Sequence, residues 1–522
     1  MKLSIRQSIA TAAVALLSGL LIFASAGAAQ AANYVPVSGA GSSWSSNAID
    51  QWRRNVKQYG MNVDYANTGS SDGRNQFKSG TVDFAVSEIP YGLTDGGVRD
   101  EVPNRSFAYM PIVAGGTSFM YNLTAGGKRI TNLRLSGTTI SKIFTGAITK
   151  WDDAAIKADN PQIDLPSRQI VPVVRSDGSG STAQFTLWMS KQNASIWDSY
   201  CRAAGRSTPC GLTSNYPVIS GKGFIAQPNS QGVAGYVSQT ANVGTITYVE
   251  YSYALKTGFP VAKVLNKSGY YVEPTASNVA VALLGATINS DLTQNLAGVY
   301  GNADKRAYPL SSYSYMILPT RTENGFTTDK GKTLGAFSYY FLCEGQNQAE
   351  VLGYSPLPIN LVKAGLNQVK RIPGVTAKTI DIKTCNNPTF SSDGTNTLAT
   401  KAAMPQDCDK QGATQCATGT GGAAGSSTAT TGGATDATSA GGTGTGGGGG
   451  YVLSGINDGA PVVCNNDTGV CTPLAADTVK VDSQPDWGLP QTFMLIAVLL
   501  LIAIITVPPL VAVMVRRGKE QR

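Results

Sequence analysis

The stretch Ile170-Val171-Pro172-Val173-Val174-Arg175-Ser176-Asp177-Gly178-Ser179-Gly180-Ser181 reads as an apolar strand, a turn of small polar residues and the opening of a helix. Each part of the turn suits an oxyanion. Glycine lets the backbone approach a ligand closely. The start of a helix presents free N–H groups and partial positive charge. Serine hydroxyls add donors, and Arg175 adds a planar fork of charge-assisted ones. Two segments of the same kind lie upstream, each after an apolar run and before a helical pattern: Gly39-Ala40-Gly41-Ser42-Ser43-Trp44 and Thr68-Gly69-Ser70-Ser71-Asp72-Gly73. One such segment is usually no more than a cap and a turn. Three of them with an arginine make that plain reading much weaker. No Gly-Lys-Ser/Thr follows any of them, which excludes a P-loop.

Around these segments, residues 34–400 alternate between strand-like runs, such as Thr81–Val86 and Ile170–Val174, and amphipathic helical runs. The run from Asn47 to Tyr59 places Ile49, Trp52 and Val56 on one face. This alternation predicts an α/β protein with parallel-rich sheets. At 522 residues the chain is too long for one ordinary core. Only 14% of residues are charged, and the net charge of +8 is scattered, without the basic stripe that nucleic acid requires. The chain contains no histidine. That excludes Ser-His-Asp and Cys-His catalysis and removes the commonest zinc ligand. A binding protein is expected, not an enzyme, with no catalytic residue, metal or cofactor.

Residues 1–31 carry Lys2 and Arg6, an apolar run and the small-x-small pattern Ala29-Gln30-Ala31 of a secretory signal peptide. Residues 493–515 are apolar and long enough to span a bilayer. Trp487 precedes that run; Arg516, Arg517, Lys519 and Arg522 follow it and place residues 516–522 in the cytoplasm. The expectation is a single-pass cell-membrane protein with an extracytoplasmic head. Residues 417–450 are Gly, Ala, Thr and Ser with one Asp and read as a flexible linker; a short extracytoplasmic segment, 451–485, follows. Eight cysteines suit an oxidising compartment. They form four sequence-local pairs: Cys201 with Cys210, Cys343 with Cys385, Cys408 with Cys416, and Cys464 with Cys471. Spacing alone leaves the connectivity open.

The three Gly/Ser segments, taken with Val82–Glu88, Ile143-Phe144-Thr145-Gly146, Ile148–Asp153, Tyr248–Ala254 and Tyr308-Pro309-Leu310, resemble the PstS-type phosphate-binding proteins of phosphate ABC importers. The resemblance covers about residues 34–370, and the motifs in this order are highly specific. It implies a two-lobed periplasmic-binding-protein-like fold with a hinge crossed twice, near Val113–Gly116 and near Tyr251–Lys256. Lobe one would hold residues 34–115 and 255–400, and lobe two residues 116–254. It implies inorganic phosphate as ligand and ABC permease subunits as partners. By motif, Ser43 and Trp44 stand at the Thr-Phe of the family's Gly-Ala-Gly-Ala-Thr-Phe. Ser70 is the hydroxyl of the second segment, and Glu88 stands at the family's aspartate. Arg175, Ser179, Gly180 and Ser181 match Arg-x-Asp-Gly-Ser-Gly-Thr, with Asp177 orienting Arg175.

An ionised carboxylate at position 88 only accepts hydrogen bonds. It takes one from phosphate, which keeps a proton at neutral pH, and repels sulfate, which has none. Three departures touch this pattern: Glu88 is a methylene longer than Asp, Trp44 replaces Phe, and Asp72 replaces Gly. They leave a second reading open, a membrane-anchored surface sensor or adhesin using the same fold for another oxyanion. Trp151-Asp152-Asp153 and Tyr248–Tyr253 are read as packing features.

Overall fold

The computed structural model describes residues 34–428 apart from 379, 381 and 386, together with 430, 462–464 and 471–473. The expected signal peptide, the membrane span 493–515 and the cytoplasmic tail lie outside the described residues. Among the described residues no helix is long and apolar enough to cross a membrane.

The first Gly/Ser segment closes β1 (Val37–Gly41) and leads into α1 (Ser46–Val56). The helix buries Ile49, Trp52 and Val56 along one face. β2 (Val63–Ala66) leads through the second segment into α2 (Ser70–Ser79), and β3 (Phe84–Ser87) follows. β2 and β3 flank β1, both parallel to it. Two strand–turn–helix passages thus lie side by side, and both turns open at the same end of the sheet.

The organising element is β4 (Phe107–Asn122), which is buried along nearly its whole length. β5 (Arg134–Leu135) comes next, and β6 (Val171–Arg175) leads through the third segment into α3 (Gly180–Gln192). β7 (Ile225–Gln227) precedes α4 (Asn229–Val237), and β8 (Thr245–Glu250) runs directly into α5 (Tyr251–Thr257). β9 (Val261–Leu265), β10 (Tyr271–Val272), α6 (Ala276–Leu283), β11 (Ser311–Pro319) and α7 (Thr328–Leu342) complete the main elements. The main sheet has eleven strands, in the order β7-β6-β8-β4-β11-β3-β1-β2, with β9 also paired to β4, β5 and β10.

β4 belongs to both lobes. Up to Gly116 it pairs antiparallel with β11; from Thr117, opposite Glu250, it pairs with β8. The change of partner falls beside the expected crossing at Val113–Gly116. The second expected crossing is corrected. After α5 the left-handed Gly258, at φ 70°, turns the chain back, and β9 pairs Val261 with Met120 and Ala262 with Phe119 of β4. Residues 261–272 therefore lie in the second lobe, not the first. The return falls at Glu273–Thr275, where Pro274 packs against Gly116.

The linker expectation is also corrected at its near end. Residues 407–428 come back to the second lobe. Arg134 Nη1 donates to the carbonyls of Cys408 (3.0 Å) and Thr414 (2.8 Å), and Lys263 pairs with Asp409 at 2.7 Å. The Thr420 hydroxyl meets the Thr131 carbonyl at 3.0 Å, and the Thr428 hydroxyl takes the Thr131 N–H at 2.8 Å. Residues 417–428 have a linker's composition because their small side chains bury little area. What fixes them is hydrogen bonding by their backbone and by the threonine hydroxyls. Disulfides Cys201–Cys210, Cys343–Cys385 and Cys408–Cys416 are closed. Cys464 and Cys471 lie on two short paired strands, and their side chains fall outside what the structure describes.

Candidate anion-binding site

The N-termini of α1, α2, α3 and α4 converge where the two lobes meet. α2 and α3 meet almost head to head: the Ser71 N–H donates to the Gly178 carbonyl at 3.0 Å, and the Ser71 hydroxyl to Ser214 Oγ at 3.1 Å. The positive ends of several helix dipoles thus face a common point.

Glu88 sits at that point, one residue past β3 and 1% exposed. Its Oε2 accepts from the Ser70 hydroxyl at 2.7 Å. Its Oε1 accepts from the Ser42 hydroxyl and from that of Ser314 at 2.9 Å. The β4–β11 register slips between Ser314 and Tyr315, and such irregularities re-aim side chains beside sites. Gly180 faces Glu88 from the first turn of α3. A Cβ there would lie 2.0 Å from Oε2 and 2.6 Å from Ser70 Oγ, so any larger residue would push the carboxylate and that hydroxyl aside. Burial pushes the Glu88 carboxyl above the usual range; the hydroxyls of Ser42, Ser70 and Ser314 and the charge of Arg175 oppose that rise.

Arg175 ends β6 and is 3% exposed. Its Nε donates to Asp177 Oδ1 at 2.7 Å and its Nη2 to Asp177 Oδ2, while Nη1 reaches Ser230 Oγ at 3.4 Å. Asp177 Oδ1 also takes the Asn229 N–H at 2.9 Å, which ties the pair to α4. Ser43 Oγ lies 3.0 Å from Ser230 Oγ and takes the Ser230 N–H at 3.0 Å. Ser179 caps α3 by accepting from the Thr182 N–H at 3.2 Å. The Ser181 hydroxyl is buried, without a hydrogen-bond partner in the protein.

The structure thus brings Ser43, Ser70, Glu88, Arg175, Asp177, Ser179, Gly180 and Ser181 into one cluster. Trp44 is placed differently. Its N–H donates to Ser42 Oγ at 3.0 Å, and its indole packs on Gly115 and, edge-on at 5.7 Å, on Tyr354. Asp72 is exposed and bonds Gln76. Its charge is spent on its own helix.

Several members escaped sequence reasoning. Ser42 lay unassigned within the first segment. Ser314 is on a strand far down the chain, and Ser230 sits behind a proline with no motif around it. Two tyrosines read as packing also reach the cluster. The Tyr248 hydroxyl accepts from the Arg175 N–H at 3.3 Å and lies 2.7 Å from Thr182 Oγ1, and Tyr253 donates to the Ser43 carbonyl at 2.5 Å.

The family model of the PBP superfamily domain matches residues 26–344. Relatives include the phosphate-binding protein PstS of Xylella fastidiosa, 33% identical over 332 residues, covering 63% of this chain and 83% of that one. PstS of Methanocaldococcus jannaschii is 31% identical over 347 residues, covering 62% and 83%. Among solved structures, the high-affinity periplasmic phosphate-binding protein PfluDING aligns at 18% identity and a TM-score of 0.49, over 66% of this chain and 100% of that one. By the family match and the two PstS sequence alignments, the chain belongs to the PBP superfamily and, within it, to the PstS phosphate-binding proteins.

Proposed function

We propose that this chain is an extracytoplasmic receptor that binds inorganic phosphate between its lobes and delivers it to the permease subunits of an ABC importer. The observation that carries the reading is the cluster of helix N-termini, hydroxyls and Arg175 around a buried carboxylate acceptor. Donors alone would suit any oxyanion. An acceptor among them favours an anion that still carries a proton and rejects one that does not. The relatives' names point to the same ligand.

The groups come from both lobes: Ser43, Ser70 and Glu88 from one, Arg175, Ser179 and Ser181 from the other. An open arrangement satisfies only part of a ligand's hydrogen bonds, so ligand favours the closed one. Hinge closure around ligand is the known repertoire of periplasmic binding proteins. The signal-peptide pattern in the sequence of residues 1–31 and the apolar run 493–515 support export and single-pass anchoring, with the head outside the cell. Calorimetric titration tests the function: one phosphate per chain with no competition from excess sulfate is expected. No heat with phosphate, or equal affinity for sulfate, would sink it.

A further inference from the structure

We propose that Ser42 is the residue that positions Glu88 for ligand discrimination; this rests on the phosphate reading above. Glu88 is one methylene longer than the aspartate of the family motif, and Ser42, a departure beyond the three named above, stands where that motif has alanine. The structure places these two departures against each other. Ser42 donates its only hydroxyl proton to Glu88 Oε1. Its lone pairs are engaged by the Trp44 N–H at 3.0 Å and the Ser45 N–H at 3.4 Å, so the hydroxyl cannot turn away without losing both. Ser314 holds the same Oε1 at 2.9 Å.

The two carboxylate oxygens therefore have different tasks. Oε1 is committed to side chains behind the site. Oε2 lies beside Ser70 and over Gly180, facing the first turn of α3, and is the acceptor presented to the ligand. A longer, more flexible carboxylate would blur that presentation unless one oxygen were pinned, and Ser42 pins it. Ser42 is thus a positioning residue, acting on the ligand through Glu88.

A double-variant cycle on the full chain tests this, with inorganic phosphate and sulfate as probes. Ser42→Ala and Glu88→Asp should each weaken phosphate binding roughly tenfold or more, as expected for hydrogen bonds to a charged group. Ser42→Ala should also narrow the preference over sulfate, which general loosening of the fold would leave unmoved. The double variant restores the alanine–aspartate pair and should return to within about threefold of the original affinity. Losses that simply multiply would overturn the proposal. A second readout needs no ligand: carbon-13 NMR of glutamate-labelled protein, with Glu88→Gln assigning the resonance. Ser42→Ala should move the Glu88 titration upward, and an unchanged midpoint overturns the proposal. Failure of the unsubstituted chain to bind phosphate would strike the receptor reading instead, while this titration still decides the role of Ser42.

Discussion

Arg175 is held along one edge by both oxygens of Asp177, and its remaining amine leans on Ser230. Arg175→Ala should weaken phosphate binding by about 2–5 kcal/mol, the usual loss on truncating a buried charge that is hydrogen-bonded to a charged partner; an unchanged affinity by calorimetry would place Arg175 outside the site. Glu88 gives a pH signature. Its folded-state carboxyl titrates above the usual range because it is buried. As pH rises through the window between the unfolded and folded values, the unfolded chain loses its proton first. Stability contributed by this group therefore falls with rising pH across that window. Glu88→Gln should flatten the slope in denaturant melts taken at successive pH. Below the raised value Glu88 carries a proton and donates, so sulfate should begin to bind as pH falls; sulfate titrations that stay silent into that range would contradict the acceptor role. Arg175, Ser179 and Ser70 were legible in the sequence because each lies in a compact motif with a physical rationale. Ser314 and Ser230 were not, because tertiary packing alone brings a lone strand serine to Glu88 and a lone serine at a helix start to Arg175 and Ser43.

At the scale of elements, the alternation of apolar runs and amphipathic helices was legible because side-chain periodicity records which face is buried. α1 shows this, with Ile49, Trp52 and Val56 all under its inner face. The excursion through β9 and β10 was not legible. Short strands leave little periodicity, and the turn at Gly258 looks like many others. One packing contact decides where α2 aims Ser70. A Cβ on Gly73 would lie 2.2 Å from Gly41 Cα and 2.6 Å from the Ala40 carbonyl, and backbone cannot swing aside. Gly73→Ala should therefore destabilise the fold by about 1–3 kcal/mol. It should also weaken phosphate binding, since the helix that carries Ser70 is pushed off β1. Retained stability and affinity, measured by melting and titration, would mean the helix has room to shift.

At the scale of the molecule, a boundary drawn from composition would end the head near residue 410, because the Gly-rich tract begins soon after. The structure carries the fold on to 428 through Arg134, Lys263 and Thr131. A chain ending after Lys410 strands Cys408 without Cys416 and removes the Thr420 contacts. It should be less stable than one ending after Thr430 by about 2–4 kcal/mol, the usual worth of a disulfide. Equal melting temperatures would contradict this. That return of the chain has a mechanical consequence. Residues 407–428 are fastened to the lobe that holds Arg175, and Thr428 is bonded to Thr131 within it. Any tension arriving along the polypeptide from beyond residue 428 is therefore borne by that lobe. The partner lobe, with Glu88 and Ser70, lies off that load path.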